Sequence, residues 1–294
     1  MRFPSALGRQ ALQEPSRHGA AKQEIRLSNK DMLKTSFRKI AGIPSLGILF
    51  FWKLTLGADA HGPILDRFIP ELFYDFFYIQ QGRVECRGPL HEGSTPLASQ
   101  SLKTLHTQPL TLCFTAPLVL FGVRFSLQFA ESFWDLDLPS DQFLAQSWVE
   151  PGTDQLPSFA QQVTRTMHKR RVKRVAGPLL SPALRETEWL TRFSPRHKRR
   201  LYKTIFGVSR KEIGAIQGLH AFLGQACDFS SRSPRIIEYI DDTVFYDQPH
   251  LNHKFTRMTG LTPLEYLQAS SILQDNLMAA SYNEIAAQLS TIGP

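Results

Sequence analysis

The chain has two textures. Between about residue 40 and residue 150, apolar and polar positions alternate with period two. Leu110, Leu112 and Phe114 alternate with Thr111, Cys113 and Thr115, and Phe121, Val123, Phe125, Leu127 and Phe129 alternate with Gly122, Arg124, Ser126 and Gln128. Successive side chains of a strand point to opposite faces, so this alternation predicts strands with one buried face. Pro63, Pro70, Pro89, Pro96, Pro109 and Pro117 recur at strand-like intervals, and proline punctuates strands because it has no N–H to give to a ladder. The expected architecture for this half is a β-barrel or sandwich.

The second texture is helical. Pro151-Gly152 breaks the strand pattern, and Pro157 and Ser158 open a helical stretch that runs into Met167–Val175. Gly177-Pro178 and Ser181-Pro182 interrupt it, and the pattern stays helical to about 267. The expected organisation is a flexible, polar leader over 1–39, a β-rich domain over 40–150, a helical domain over 158–267 and a C-terminal tail over 268–294. Exposed Pro- and Gly-rich segments favour domain boundaries, which places a separable junction at 151–157.

Inside the helical half lies a repeat at an offset of 53 residues, Ser194 to Ser209 and Asp247 to Thr262. Each copy begins with a side chain that can accept a backbone N–H at a helix start, Ser194 or Asp247. Each reaches a glycine suited to the left-handed position past a helix end, Gly207 or Gly260. His197 matches His250, Tyr202 matches Phe255 and Ile205 matches Met258. Ser209 and Glu212 form a capping-box pattern at the start of a connecting helix carrying Ile213, Ile216, His220, Leu223 and Cys227. Ser233-Pro234 then opens a short helix with Ile236, Ile237 and Ile240. The order is short helix, capped helix, long connecting helix, short helix, capped helix.

Charge sharpens this picture. The 294 residues carry a formal net charge of +8, yet residues 165–211 alone hold 15 basic and 2 acidic residues. An excess gathered in one stretch points to a polyanionic partner. Cys86, Cys113 and Cys227 lie far apart with no CxxC, so they form neither a disulfide framework nor a zinc site and suit a reducing, cytoplasmic setting. No cofactor and no metal is expected. The longest apolar stretch, Leu46 to Trp52, is far short of a membrane span.

The stretches Ser194–Ser209 and Phe245–Tyr266, the latter holding His250-Leu251, Phe255 and Gly260-Leu261-Thr262-Pro263, resemble the AraC/XylS family of transcription regulators. The resemblance is strong over roughly 180–267 and weaker over 40–150, where Phe121-Gly122-Val123-Arg124-Phe125 resembles the β-rich N-terminal domain of one subgroup. It implies an α+β multidomain protein: an N-terminal cupin-like β-barrel or sandwich, then an all-α domain with two helix-turn-helix units. It further implies a DNA-binding transcriptional regulator that is not an enzyme, with double-stranded DNA as partner. In relatives the first part often senses a small molecule or mediates dimerisation, so a small-molecule effector and a homodimer are the partners implied there.

A reading helix needs side chains that reach base edges and cations that reach phosphates. In the first copy these are Arg196, Arg199 and Arg200 for bases and Lys203 for the backbone. In the second, the family positions fall on Gln248, His250, Asn252 and His253, which carry no formal charge at neutral pH. Leu201, Ile205, Leu251, Phe255 and Met258 are assigned to packing, and His197 and His250 to a shared structural contact. The plain alternative for Arg199 and Arg200 is a solvated helix face.

Departures from the family pattern set the competing readings. Glu188 and Arg192 in the first copy, and Ile240 and Val244 in the second, stand where relatives carry a small residue and a turn glycine, and Lys198 replaces an apolar residue. These motivate a degenerate member that keeps the fold but acts through protein–protein contacts. A cupin-like metal enzyme is the second alternative; His61, His91 and His106 are dispersed and lack ligand spacing.

Overall fold

A computed structural model describes residues 34–58, 62–88, 93–132, 138–170, 178–181, 185–226, 248–269 and 271–281. It is a mixed α and β structure built on one antiparallel sheet. Strands β1 (Thr35–Ala41), β2 (Ile48–Leu56), β3 (Ile64–Phe68), β4 (Tyr74–Arg87), β5 (Thr95–Pro96), β6 (Gln100–Lys103), β7 (Leu110–Phe125) and β8 (Phe143–Ala145) run in the order β1-β2-β7-β4-β6-β8, with β3 also on β7 and β5 on β4. Among the described residues no ladder joins β1 to β8. The helices are α1 (Gln128–Ser132), α2 (Leu156–Arg170), α3 (Glu188–Thr191), α4 (Pro195–Phe206), α5 (Arg210–Ala226), α6 (Gln248–Thr259) and α7 (Pro263–Gln268), with a further helix, α8, over 273–281.

The first alternating run, and the second as far as Phe125, fall on β7, whose second half is buried on both faces rather than one. Phe121, Val123 and Phe125 join the cluster that packs against the helices, while Leu118 and Leu120 join a second cluster on the other side. Gly122 and Arg124 are buried as well. Pro117 does not end a strand. It sits inside β7 opposite a shift in the β4 ladder between Gln81 and Arg83. There Gly82 has φ +89°, and a Cβ on it would lie 2.5 Å from the Pro117 carbonyl oxygen.

Four boundaries differ from the sequence expectation. β1 begins at Thr35, inside the stretch read as a leader. Its residues are almost all exposed, so this edge strand has no apolar alternation to betray it. The alternation through Leu127 and Phe129 ends as a strand at Phe125; Phe129 lies in α1 and stacks on Phe125 at 4.2 Å between centroids.

The expected junction at 151–157 is a turn within one core. The Phe159 ring of α2 lies 5.5 Å from Phe121, 6.2 Å from Phe76, 6.3 Å from Phe51 and 6.4 Å from Tyr78. Val163 and Met167 follow on the same helix face, fully buried. Pro-Gly reports backbone direction, and the apolar face of α2 decides where the helix packs.

The C-terminal tail is the fourth difference. Within 268–294, residues 273–281 form α8, with Ile272, Leu273, Leu277, Met278, Ala280 and Ser281 buried. A helix buried on most of its circumference lies between two packed layers. Leu273, Leu277 and Ala280 join the cluster on the sheet, and Met278 joins the cluster shared with α5 and α6.

Candidate nucleic-acid interface

The first capped helix forms as its sequence dictates. The Ser194 hydroxyl accepts the His197 N–H at 3.3 Å, and Gly207 ends α4 in the left-handed conformation at φ 74°. Space also selects glycine there, since a Cβ on Gly207 would meet the Leu138 carbonyl oxygen at 2.2 Å. Tyr202, Ile205 and Phe206 bury one face of α4. Arg196, Arg199, Arg200 and Lys203 are exposed on the other. Their spacing of i, i+3, i+4 and i+7 makes one stripe along the helix.

Arg196 and Arg199 form no ion pair among the described residues. Arg200 lies 3.2 Å from His197 Nδ1, and His197 stacks on Phe193 at 4.7 Å. Lys203 is less free than its exposure suggests, donating to the Gly207 carbonyl at 3.3 Å and facing Glu212 at 3.5 Å. Burial raises the Glu212 carboxyl, but the Ser209 N–H and hydroxyl and then Lys203 outweigh it and hold it below the ordinary range. The Ser209–Glu212 capping box closes at the start of α5: Glu212 N–H to the Ser209 hydroxyl at 3.2 Å, Ser209 N–H to the carboxylate at 2.5 Å.

The substituted positions of the first copy are accommodated. Lys198 turns toward the protein and pairs with Glu186 at 2.9 Å. Glu186 also accepts from the Tyr202 hydroxyl at 3.4 Å, and burial together with this carboxylate pushes that phenol above its ordinary pKa. Glu188 is exposed and crowds nothing. Arg192 has φ −69°, so the turn into α4 uses no left-handed residue and misses no glycine. The helix before α4 is one turn, Glu188–Thr191, anchored by buried Leu190.

In the second copy α6 ends at Gly260, φ 73°, matching Gly207. Phe255 and Met258 are buried, and Asn252 and His253 are exposed. Gln248 and His250 lie in its first turn; their side chains and that of Leu251, together with Asp247 and the short helix with Ile236, Ile237, Ile240 and Val244, fall outside what the structure describes. Sequence reasoning passed over Arg257, exposed one turn beyond His253. Its i+4 spacing from His253 was the available signal.

The two copies are seated on the sheet domain by polar contacts. The Tyr74 hydroxyl reaches the Phe206 carbonyl at 3.4 Å, Arg67 Nη1 donates to the Gly260 carbonyl at 3.3 Å, and His220 Nε2 lies 2.7 Å from the Pro70 carbonyl. Burial lowers the His220 pKa against the opposing pull of Glu71. Beside it Arg124, fully buried, binds Asp75 through Nε at 2.7 Å and Nη2 at 2.9 Å, Glu71 at 2.6 Å and the Ser281 hydroxyl at 3.0 Å. Lys103 meets Asp75 at 3.0 Å. Burial raises the Asp75 carboxyl, but Arg124 and Lys103 more than reverse this.

Among the described residues no group of three His, Cys, Asp or Glu side chains is placed to hold a metal, and no helix is long and apolar enough to cross a membrane. His61 and His91 lie outside the described residues. His106 is buried, with Nδ1 2.8 Å from the Thr104 carbonyl, and burial and Lys103 push its pKa down to about 4.

No protein-family model and no curated protein matches the chain. Among solved structures, ToxT from Vibrio cholerae O395 is similar at 12% identity and a TM-score of 0.38, over 82% of this chain and 98% of that one. A ToxT from Vibrio cholerae strain SCE256 bound to an unsaturated fatty acid is similar at 10% identity and a TM-score of 0.34, over 71% and 96%. An HTH_3 family transcriptional regulator from Vibrio cholerae is similar at 13% identity and a TM-score of 0.25 over 33% of this chain, which spans about half (54%) of that one. Likenesses this distant carry no argument about what the chain does.

Proposed function

We propose that the chain is a sequence-specific, AraC/XylS-type DNA-binding transcriptional regulator whose activity is modulated through the sheet domain. The carrying observation is the exposed stripe Arg196, Arg199, Arg200 and Lys203 on a capped helix whose opposite face is buried. Arginine offers a planar pair of donors that fits the O6 and N7 acceptors of guanine, and a stripe of them at a helix face suits a major groove. Asn252 on α6 suits adenine through its amide, and Arg257 would contact phosphate. This reading assigns no catalytic step to the chain.

Support for modulation comes from a groove of about 650 Å³ between β1, β2 and α2. Ile40, Ile43, Phe51 and Ala160 give it apolar walls, and Arg165, His168 and Lys169 a basic rim. That lining suits a small amphipathic anion as effector.

The single-turn α3 favours a second reading, a degenerate unit that contacts proteins rather than DNA. A gel-shift series on DNA upstream of its own gene separates the two. Regulator binding predicts a complex that resists excess unrelated duplex; a complex displaced equally by any duplex, or none, favours the second reading.

A further inference from the structure

The sheet face lined by Phe50, Trp52, Phe77 and Leu120 is covered by α8, whose Leu273, Leu277 and Ala280 join the same cluster. Polar groups of the sheet fasten both of its ends. The Asp66 carboxylate, fully buried on β3, accepts the N–H groups of Ile272 at 2.8 Å, Leu273 at 2.5 Å and Gln274 at 3.4 Å, and the Ser271 hydroxyl. A carboxylate on the first N–H groups of a helix answers both their unpaired hydrogens and the positive end of the helix dipole. Toward the other end, Arg124 Nη1 donates to the Ser281 hydroxyl at 3.0 Å.

The opposite side of α8 reaches the second reading helix. The Tyr266 hydroxyl of α7 lies 3.6 Å from Met278 Sδ, and the Tyr266 ring packs edge-on against Phe255 of α6 at 5.5 Å. Phe255 in turn meets Phe222 of α5 at 5.8 Å. The end of α6 is tied to β3 by Arg67 on Gly260, one residue from Asp66. So α6 is held by packing that runs through α8 and, at its end, by Arg67 beside the Asp66 that caps α8, whereas α4 meets the sheet domain at other points, through Tyr74 and Leu138.

The dock also contains groups that oppose it. Gln274 is buried, and neither of its amide atoms has a hydrogen-bond partner among the described residues. An unanswered buried amide costs free energy each time the helix seats. The Asp66 carboxylate is likewise taken wholly out of water, with Asp275 as a like charge nearby.

We propose that α8 is a releasable strap that fixes the second reading helix against the sheet domain, so that the second half of a DNA site is read only while α8 is docked. The asymmetry matters, because release would leave the contacts of α4 intact and leave α6 only its Arg67 contact and its packing on α5. The DNA part rests on the function proposed above; the strap itself does not.

The test is backbone hydrogen exchange on the DNA-free full chain, followed by footprinting of the same variants. Leu277→Asp puts a charge into the sheet cluster. Asp66→Asn keeps one acceptor oxygen and turns an amide NH2 onto the other N–H groups. Both should raise exchange at least tenfold across 273–281 and across α6, leave α4 as in the wild type, and shrink the footprint to the half-site of α4. Gln274→Leu should slow exchange over both α8 and α6. If Leu277→Asp fails to fold, Asp66→Asn and Gln274→Leu decide. Exchange that rises over α8 and is unchanged over α6 overturns the strap, as does Asp66→Asn exchange equal to the wild type. If α6 loosens with α8 but the wild type protects no DNA, the strap stands and the DNA reading falls.

Discussion

The Asp66 carboxylate accepts the backbone N–H of Ile272 at 2.8 Å, joining the third strand to a helix start 206 residues along the chain. Burial pushes this carboxyl up to about 6 despite the N–H groups of Leu273 and Gln274 and the Ser271 hydroxyl, which favour the charged form. A carboxyl whose folded pKa lies above its unfolded value of 3.8 contributes stability below that value and loses it as pH rises through about 6. The folded state should therefore be less stable at pH 7.5 than at pH 5, by about 1.4 kcal/mol from this group, roughly half of what it loses between acid and neutral pH. Asp66→Asn should lower stability throughout and remove this part of the slope. Urea midpoints at pH 5, 6 and 7.5 for both proteins measure it.

The signals that sequence reasoning could use are local ones. Ser194, Gly207, Gly260 and the Ser209–Glu212 pair were legible because a cap is decided within four residues of itself. Leu110 to Phe114 was legible because a strand's period is two. α8 was not, because the groups that make its helix start favourable, Asp66 and the apolar sheet face, lie two hundred residues away. Its own Gln274, Asp275 and Asn276 look like a solvated tail. The short reach of α3 and the pairing of Lys198 with Glu186 were hidden for the same reason: both depend on what the chain brings alongside, not on what is adjacent in it.

Arg124 is the charge whose removal should cost most. It answers two buried carboxylates, Asp75 and Glu71, with neither exposed to solvent. Arg124→Leu leaves Glu71 without its cation and Asp75 with Lys103 alone, and should destabilise by about 3–5 kcal/mol. Adding Glu71→Gln should recover part of the loss. Chemical denaturation of the two variants tests this, and a cost below about 1 kcal/mol for Arg124→Leu would sink it.

The helical half should not fold by itself. A fragment of residues 156–294 exposes the Phe159, Val163 and Met167 face of α2 and leaves α8 without Asp66 and its sheet face. Circular dichroism and a thermal melt of the fragment should show no cooperative transition, while Phe159→Ala in the full chain should cost about 3–5 kcal/mol. A fragment that melts cooperatively would restore the junction at 151–157.

Within the proposed interface, the two copies should divide the work unequally. Arg200→Ala should weaken specific binding by about 1–3 kcal/mol and relax preference at one base pair. Lys203→Ala should weaken all duplexes about equally and lower the salt slope by roughly one, once its contact with Glu212 is given up. Asn252→Ala should cost less affinity, confined to the second half of the site. Titrations against a selected operator and a scrambled duplex separate these outcomes; Asn252→Ala proving the most damaging would reverse the assignment.

The central claim is that the stripe on α4 reads DNA sequence. Selection of duplexes from a random library by the purified full chain, repeated with the Arg196→Ala/Arg199→Ala/Arg200→Ala variant, tests it most directly. The account predicts one enriched motif for the wild type, bound with an affinity that falls steeply with salt as counterions are released, and no enrichment for the variant. A wild type that enriches no motif, or a triple variant that enriches the same motif equally well, would contradict it.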